Sequence, residues 1–309
     1  MHKRILAICL ATIFIAMAVI PTGFAGSTDQ VVITYGETTY MNQQYKSIVD
    51  DYFAGRTNVD LNNVDSKVIT AGDVNAISGG FSGKTYNSNQ IFSSALLDLN
   101  QNGEITVDVD NSINTITPKM YMSALKSAGI QGGHVYVTSP VSATGESALA
   151  GIMDCYEEAT DVEIPDNVKE AANQEISTQA EIINNSNVSA DDLSNLVDDV
   201  KEKVNEENIT DHATIVNIIN DYSTNYNINI SDSDIENLAS TIEQVQSVQD
   251  DANAYKEQIS DIVNNTDAGS ISDTVSDTVS DTVSGLGSDS GFSIDGLFNS
   301  ILSIFNISL

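Results

Sequence analysis

Apolar and polar residues alternate through 104–110, with Ile105, Val107 and Val109 set against Thr106, Asp108 and Asp110. That period of two predicts a half-buried strand. Thr117 is suited to capping a helix, and Pro118 follows at the position where a missing N–H costs nothing. Met120, Tyr121, Ala124, Leu125 and Ala128 then form one apolar helical stripe, closed by Gly129 and Ile130. Val135 and Val137 predict a second strand ending at Pro140. Thr144-Gly145 predicts the start of a helix carrying Ala148, Leu149, Ile152, Met153 and Tyr156. The unit from 104 to 138 is long enough for a parallel strand–helix–strand crossover.

Upstream, 31–35 reads as a strand ending at Gly36, and 40–54 as a helix with Met41, Tyr45, Ile48, Val49, Tyr52 and Phe53 ended by Gly55. A short strand near Lys67–Thr70 and a weak helix near Asp73–Ile77 precede the glycine-rich stretch 79–83. Gln90–Asp98 reads as a strand that turns back through Gln101-Asn102-Gly103, because Asn-Gly is a strong hairpin signal. The expectation is an α+β fold, a mixed sheet of four or five strands with packed helices over 26–160.

From Asp161 to about 266 the pattern is helical throughout. Helices are predicted over 165–184, after the capping-box-like Ser189-x-x-Asp192, over His212–Tyr222, and after Asn229-Ile230-Ser231-Asp232. The last stripe is a heptad-like, coiled-coil-type seam: Ile235, Leu238, Ile242, Val245, Val248, Ala252, Tyr255, Ile259 and Ile262. Two successive three-residue steps, ending at Val248, rotate it off its face and predict a break near 246–250. Residues 267–291 are a low-complexity Ser/Asp/Thr/Val/Gly linker. Residues 292–309 form an amphipathic apolar tail too short and mixed for a membrane span.

The pattern Ile113-x-x-Ile116-Thr117-x-x-Met120-Tyr121-x-x-Ala124-Leu125-x-x-Ala128-Gly129-Ile130, followed by Pro140-x-x-x-x-Gly145-x-x-Ala148-Leu149-x-Gly151-Ile152, resembles the domain of unknown function 1002 family of exported microbial proteins. The resemblance covers 31 to about 262. Where that family usually has Val-Ser before the glycine, this chain has Ala143-Thr144. It implies a fold and export, and no substrate.

Composition narrows the classes. Basic residues 2–4, an apolar run over 5–20 and Gly23-Phe24-Ala25 have the form of a signal peptide over 1–25, so an exported, secreted or envelope-associated protein is expected. The net charge of −32 at pH 7 excludes nucleic acid as a natural partner. Cys9 falls in the leader, which leaves Cys155 without an intramolecular disulfide partner and at core spacing in its helix.

Candidate chemistry is sparse. Asp98-x-Asn100-x-Asn102-Gly103 matches half of a calcium loop, but Val109 stands where the bidentate carboxylate belongs, so a hairpin turn is the better reading. Gly145-Glu146-Ser147-Ala148-Leu149 lacks the second glycine of a nucleophile elbow. His134 and His212, at a strand start and a helix start, are not tied to Ser147 by any spacing. Six Asn-x-Ser/Thr sequons occur at Asn184, Asn187, Asn208, Asn229, Asn264 and Asn306. No residue is singled out as catalytic, cofactor-binding or metal-ligating, and no cofactor is expected. The expected role is binding or envelope scaffolding, toward an envelope component or a protein partner. The rival is a secreted hydrolase using carboxylates in an interdomain cleft. For 292–309 the destinations are a membrane surface, a partner groove or the protein's own bundle.

Overall fold

The computed structural model describes residues 30–57, 59–78, 85–100 and 103–264. The expectations for the leader, the glycine-rich stretch, the linker and the tail fall outside these residues. In chain order the elements are β1 (Val31–Gly36), α1 (Glu37–Met41), α2 (Gln43–Ala54), β2 (Asp65–Ile69), α3 (Ala71–Ser78), β3 (Ser94–Asp98), β4 (Thr106–Val109), α4 (Pro118–Ser127), β5 (His134–Thr138) and α5 (Ala148–Thr160). Five more helices follow: α6 (Asp166–Asn185), α7 (Ala190–Glu206), α8 (His212–Tyr226), α9 (Asp232–Ser247) and α10 (Gln249–Asn264). The fold is α+β, as the pattern predicts.

The sheet order is β2-β1-β3-β5-β4. β1 lies parallel to β2 and antiparallel to β3, and β5 is antiparallel to β3 and parallel to β4. The hairpin expected between β3 and β4 is therefore absent: β5 sits between them, and β4 is an edge strand. The residues explain the order. Val135 and Val137 are fully buried, as a central strand requires, whereas Thr106 and Asp108 are exposed, as an edge permits.

Alternation along the strands serves two cores. Val31, Ile33, Tyr35, Leu96 and Tyr136 face Val49 and Phe53 of α2. Val32, Ala95, Leu97, Val135 and Val137 face α4 and α5 on the opposite side. The helix expected over 40–54 is two helices, because Asn42 caps α2 by accepting from the Gln44 and Tyr45 N–H groups at 3.0 and 3.3 Å.

The α4/α5 core continues into α6 and α10 through Val168, Ala172, Ile176, Val248, Ala252 and Tyr255. Asp161 thus marks a change of element type within a continuous core. α6 packs on α4 and α9, and α7, α8 and α9 enclose a second core around Leu196, Val200, Ile219 and Leu238. The long seam breaks at Val248, between α9 and α10, inside the expected interval. Its first half feeds the second core and its later half the first. Leu125 and Ile152 are each fully buried in the α4/α5 core. Leu125→Ala and Ile152→Ala should each cost about 2–5 kcal/mol, measured by denaturant unfolding.

Candidate functional site

The paired motif turns out to hold the fold together. Thr117 Oγ accepts from the Met120 N–H at 3.4 Å, and the Ile130 and Gly129 N–H groups close α4 onto the carbonyls of Leu125 and Lys126. Backbone bonds join its two halves: Asn114 N to Ala143 O, Ile116 N to Thr144 O, and Ala143 N to Ser112 O. Buried Tyr121 donates to the Gly145 carbonyl at 2.5 Å. Gly145 has φ +100°, and a Cβ there would lie 2.6 Å from Ile113. That conformation cannot start a helix, so α5 begins at Ala148 rather than at Thr144-Gly145. At Gly151 a Cβ would meet Thr34 Oγ1 at 2.6 Å, so the helix lies close against β1.

A second constellation was not legible in the sequence. Lys201 Nζ lies 2.7 Å from Glu175 Oε1, 2.7 Å from Ser123 Oγ and 3.0 Å from Ser127 Oγ. Ser127 donates to the other Glu175 oxygen at 2.7 Å, and Ser123 Oγ shares its proton between Glu175 and Asp198. A serine beside a lysine suggests a nucleophile and its base. However, Ser123 is 2% and Glu175 1% exposed, and an ammonium held by a carboxylate can only donate. The network is an interhelical clamp joining α4, α6 and α7.

The structure does not bring Ser147 to either histidine. Ser147 ends the turn before α5 and makes no capping bond through its side chain. His134 Nδ1 lies 2.7 Å from Thr106 Oγ1, its Nε2 lies 3.1 Å from Asp108, and its ring packs on Tyr136. His212 places Nε2 at 2.8 Å from Glu236 and Nδ1 at 3.0 Å from Glu243.

Two carboxylates can only accept, so both His212 nitrogens donate. The Glu236 bond and then the Glu243 bond raise its pKa. The sign follows: this α8–α9 clamp is fully present below the ordinary histidine value of about 6.5 and is lost as pH rises through the raised midpoint. An NMR titration should place that midpoint above the ordinary value, and Glu236→Gln should lower it.

Of the half calcium loop, Asn102 lies outside the described residues. Asp98 is buried at the end of β3 and accepts from the Asn100 N–H at 2.9 Å. Among the described residues no group of three or more His, Cys, Asp or Glu side chains is placed to hold a metal ion. Cys155 is fully buried against Val32 and Thr34, and burial pushes its thiol up to about 12.

Carboxylates also meet between the mixed and helical regions. Tyr86 donates to buried Glu146 at 2.5 Å, and burial and then the Glu146 charge push its phenol up, with a smaller contribution from Glu181. Glu181 borders a cavity of about 240 Å³ with Ser78, Asn173 and Ser177. Glu146 is not among the residues that line it.

A larger cavity, of about 620 Å³, opens at the loop end of the bundle. The α6–α7 connection reads Asn185-Ser-Asn-Val-Ser-Ala-Asp-Asp-Leu193, and the α8–α9 connection reads Asn227-Ile-Asn-Ile-Ser-Asp-Ser-Asp-Ile235. Both line this one cavity. Ser189 accepts from the Asp192 N–H and Ser231 from the Asp234 N–H, so the two loops use the same N-cap. Val188 and Ile230 stand where a hydrophobic staple belongs. These roles account for three sequons, since Ser186, Ser189 and Ser231 sit at the helix boundaries that loops of this type need.

The fold is thus an α+β protein with a polar concavity at one end of its helical region. Its sequence matches the family described as protein of unknown function DUF1002 over residues 35–262, and the chain belongs to that family. It is also 31% identical over 176 residues to the uncharacterized protein YpuA of Bacillus subtilis (strain 168), covering 56% of this chain. The matched stretch spans 59% of that protein's length. No solved structure matches the chain. Among the described residues no helix is long and apolar enough to cross a membrane.

Proposed function

We propose that the protein is an exported binding module associated with the cell envelope. One contrast carries this reading. The groups suited to chemistry are held by neighbouring side chains: Ser123 and Lys201 with Glu175 in the interior, His134 with Thr106 and Asp108 and His212 with Glu236 and Glu243 at the surface. The 620 Å³ cavity is instead open and lined by amides and hydroxyls, within the usual size range of ligand sites of about 300–1,000 Å³. Export is supported by the leader-like residues 1–25, and the spread acidic charge suits a solvated surface.

The test is to incubate the chain beginning at Gly26 with insoluble envelope polymers. It should sediment with them and release no soluble fragments. Release of fragments would establish the hydrolase instead, and failure to sediment would overturn the binding reading.

A further inference from the structure

We infer that the loop-end cavity binds a neutral polyhydroxylated ligand, an oligosaccharide, through the paired amides of Asn187 and Asn229. This rests on the binding-module reading and names its site and ligand class. The starting observation is that the two loops repeat more than capping needs. The serines, the aspartates at the third helical position and the apolar staples are explained by the helix starts they make. The second asparagine of each loop is not. Asn187 and Asn229 are exposed, line the same cavity, and have no side-chain hydrogen-bond partner among the described residues. An unbonded carboxamide presents two donors and an acceptor carbonyl, which matches the mixed donor–acceptor character of a sugar hydroxyl.

The rest of the lining selects among ligands. It includes no lysine or arginine, and Asp192 and Asp234 border the space, so phosphates, sulfates and uronates meet repulsion. Ile228, Ile230 and Tyr226 add apolar and aromatic surface to the lining, the Tyr226 hydroxyl donating to Asp199 at 2.7 Å. Apolar and aromatic surface next to amides fits the alternating C–H faces and hydroxyl edges of a pyranose.

Calorimetry with the full chain tests the assignment, using β1,4-linked tetramers of N-acetylglucosamine and of glucose, with heparin as an anionic control. Saturable binding of at least one neutral tetramer and none of heparin is expected. The Asn187→Ala/Asn229→Ala double variant should lose about tenfold or more in affinity at an unchanged melting temperature. Asn220→Ala, on α8 outside the cavity, should bind as the parent does. Absence of saturable binding to both tetramers overturns the proposal, as does equal binding by the double variant. A glycan covalently attached at Asn187 or Asn229, seen in the intact mass of protein from its natural host, also overturns it. If the double variant still sediments with envelope polymers as the parent does, the cavity assignment fails while the binding reading stands. If neither sediments, both fail.

Discussion

Lys201→Ala should destabilise the protein by about 3–5 kcal/mol, the usual cost of leaving a buried charge without its partner. Glu175 is 1% exposed and draws on Lys201, Ser123 and Ser127 together, so removing the ammonium leaves a carboxylate with only two hydroxyl donors. The clamp joins three helices, and the loss should appear as one cooperative shift in the urea midpoint rather than as local fraying. A Lys201→Met/Glu175→Leu double variant separates charge burial from packing. Replacing both partners removes the unpaired charge, so it should be clearly more stable than Lys201→Ala. A double variant as unstable as the single one would show that packing, and not the charge, dominates.

Gly129→Ala should cost about 2–6 kcal/mol, combining the strain of a left-handed residue with that of an overpacked core. Gly129 has φ +79°, and a Cβ on it would lie 2.2 Å from the Ala252 carbonyl of α10, a backbone atom that cannot swing aside. The added methyl must therefore push α10 off the end of α4, and hydrogen exchange should show α10 amides losing protection first. Gly103→Ala is the matched control, because its φ is +129° yet nothing lies within 4 Å of a Cβ there. It should cost only the backbone strain, about 1–3 kcal/mol, with α10 unaffected. Equal protection of α10 in both variants would contradict the close-approach argument.

Much of the architecture was legible in single residues. Thr117, Pro118 and Gly129 bound α4 as their chemistry dictates, and the double three-residue step at Val248 marks the break between α9 and α10. Strand order was legible only in part. The Asn102-Gly103 signal is local, whereas placing β5 between β3 and β4 depends on two-faced burial. The contrast was nonetheless written in Val135 and Val137 against Thr106 and Asp108.

The polar constellations were less legible. Ser123, Glu175 and Lys201 lie on three helices, and no sequence spacing relates them. Asn187 and Asn229 are visible as sequons, but only the packing of α6–α7 against α8–α9 sets them around one space.

The paired motif from Ile113 to Ile152 builds the fold, and binding is proposed to take place at the loop end. Backbone amide NMR of the full chain with solubilised envelope polysaccharide tests it most directly. Shifts should saturate and cluster in 185–192 and 226–234, with Ser147, His134 and the amides of α4 unmoved. Shifts centred on Ser147 or on Tyr86 and Glu146, or a spectrum unchanged at saturating polysaccharide, would contradict it.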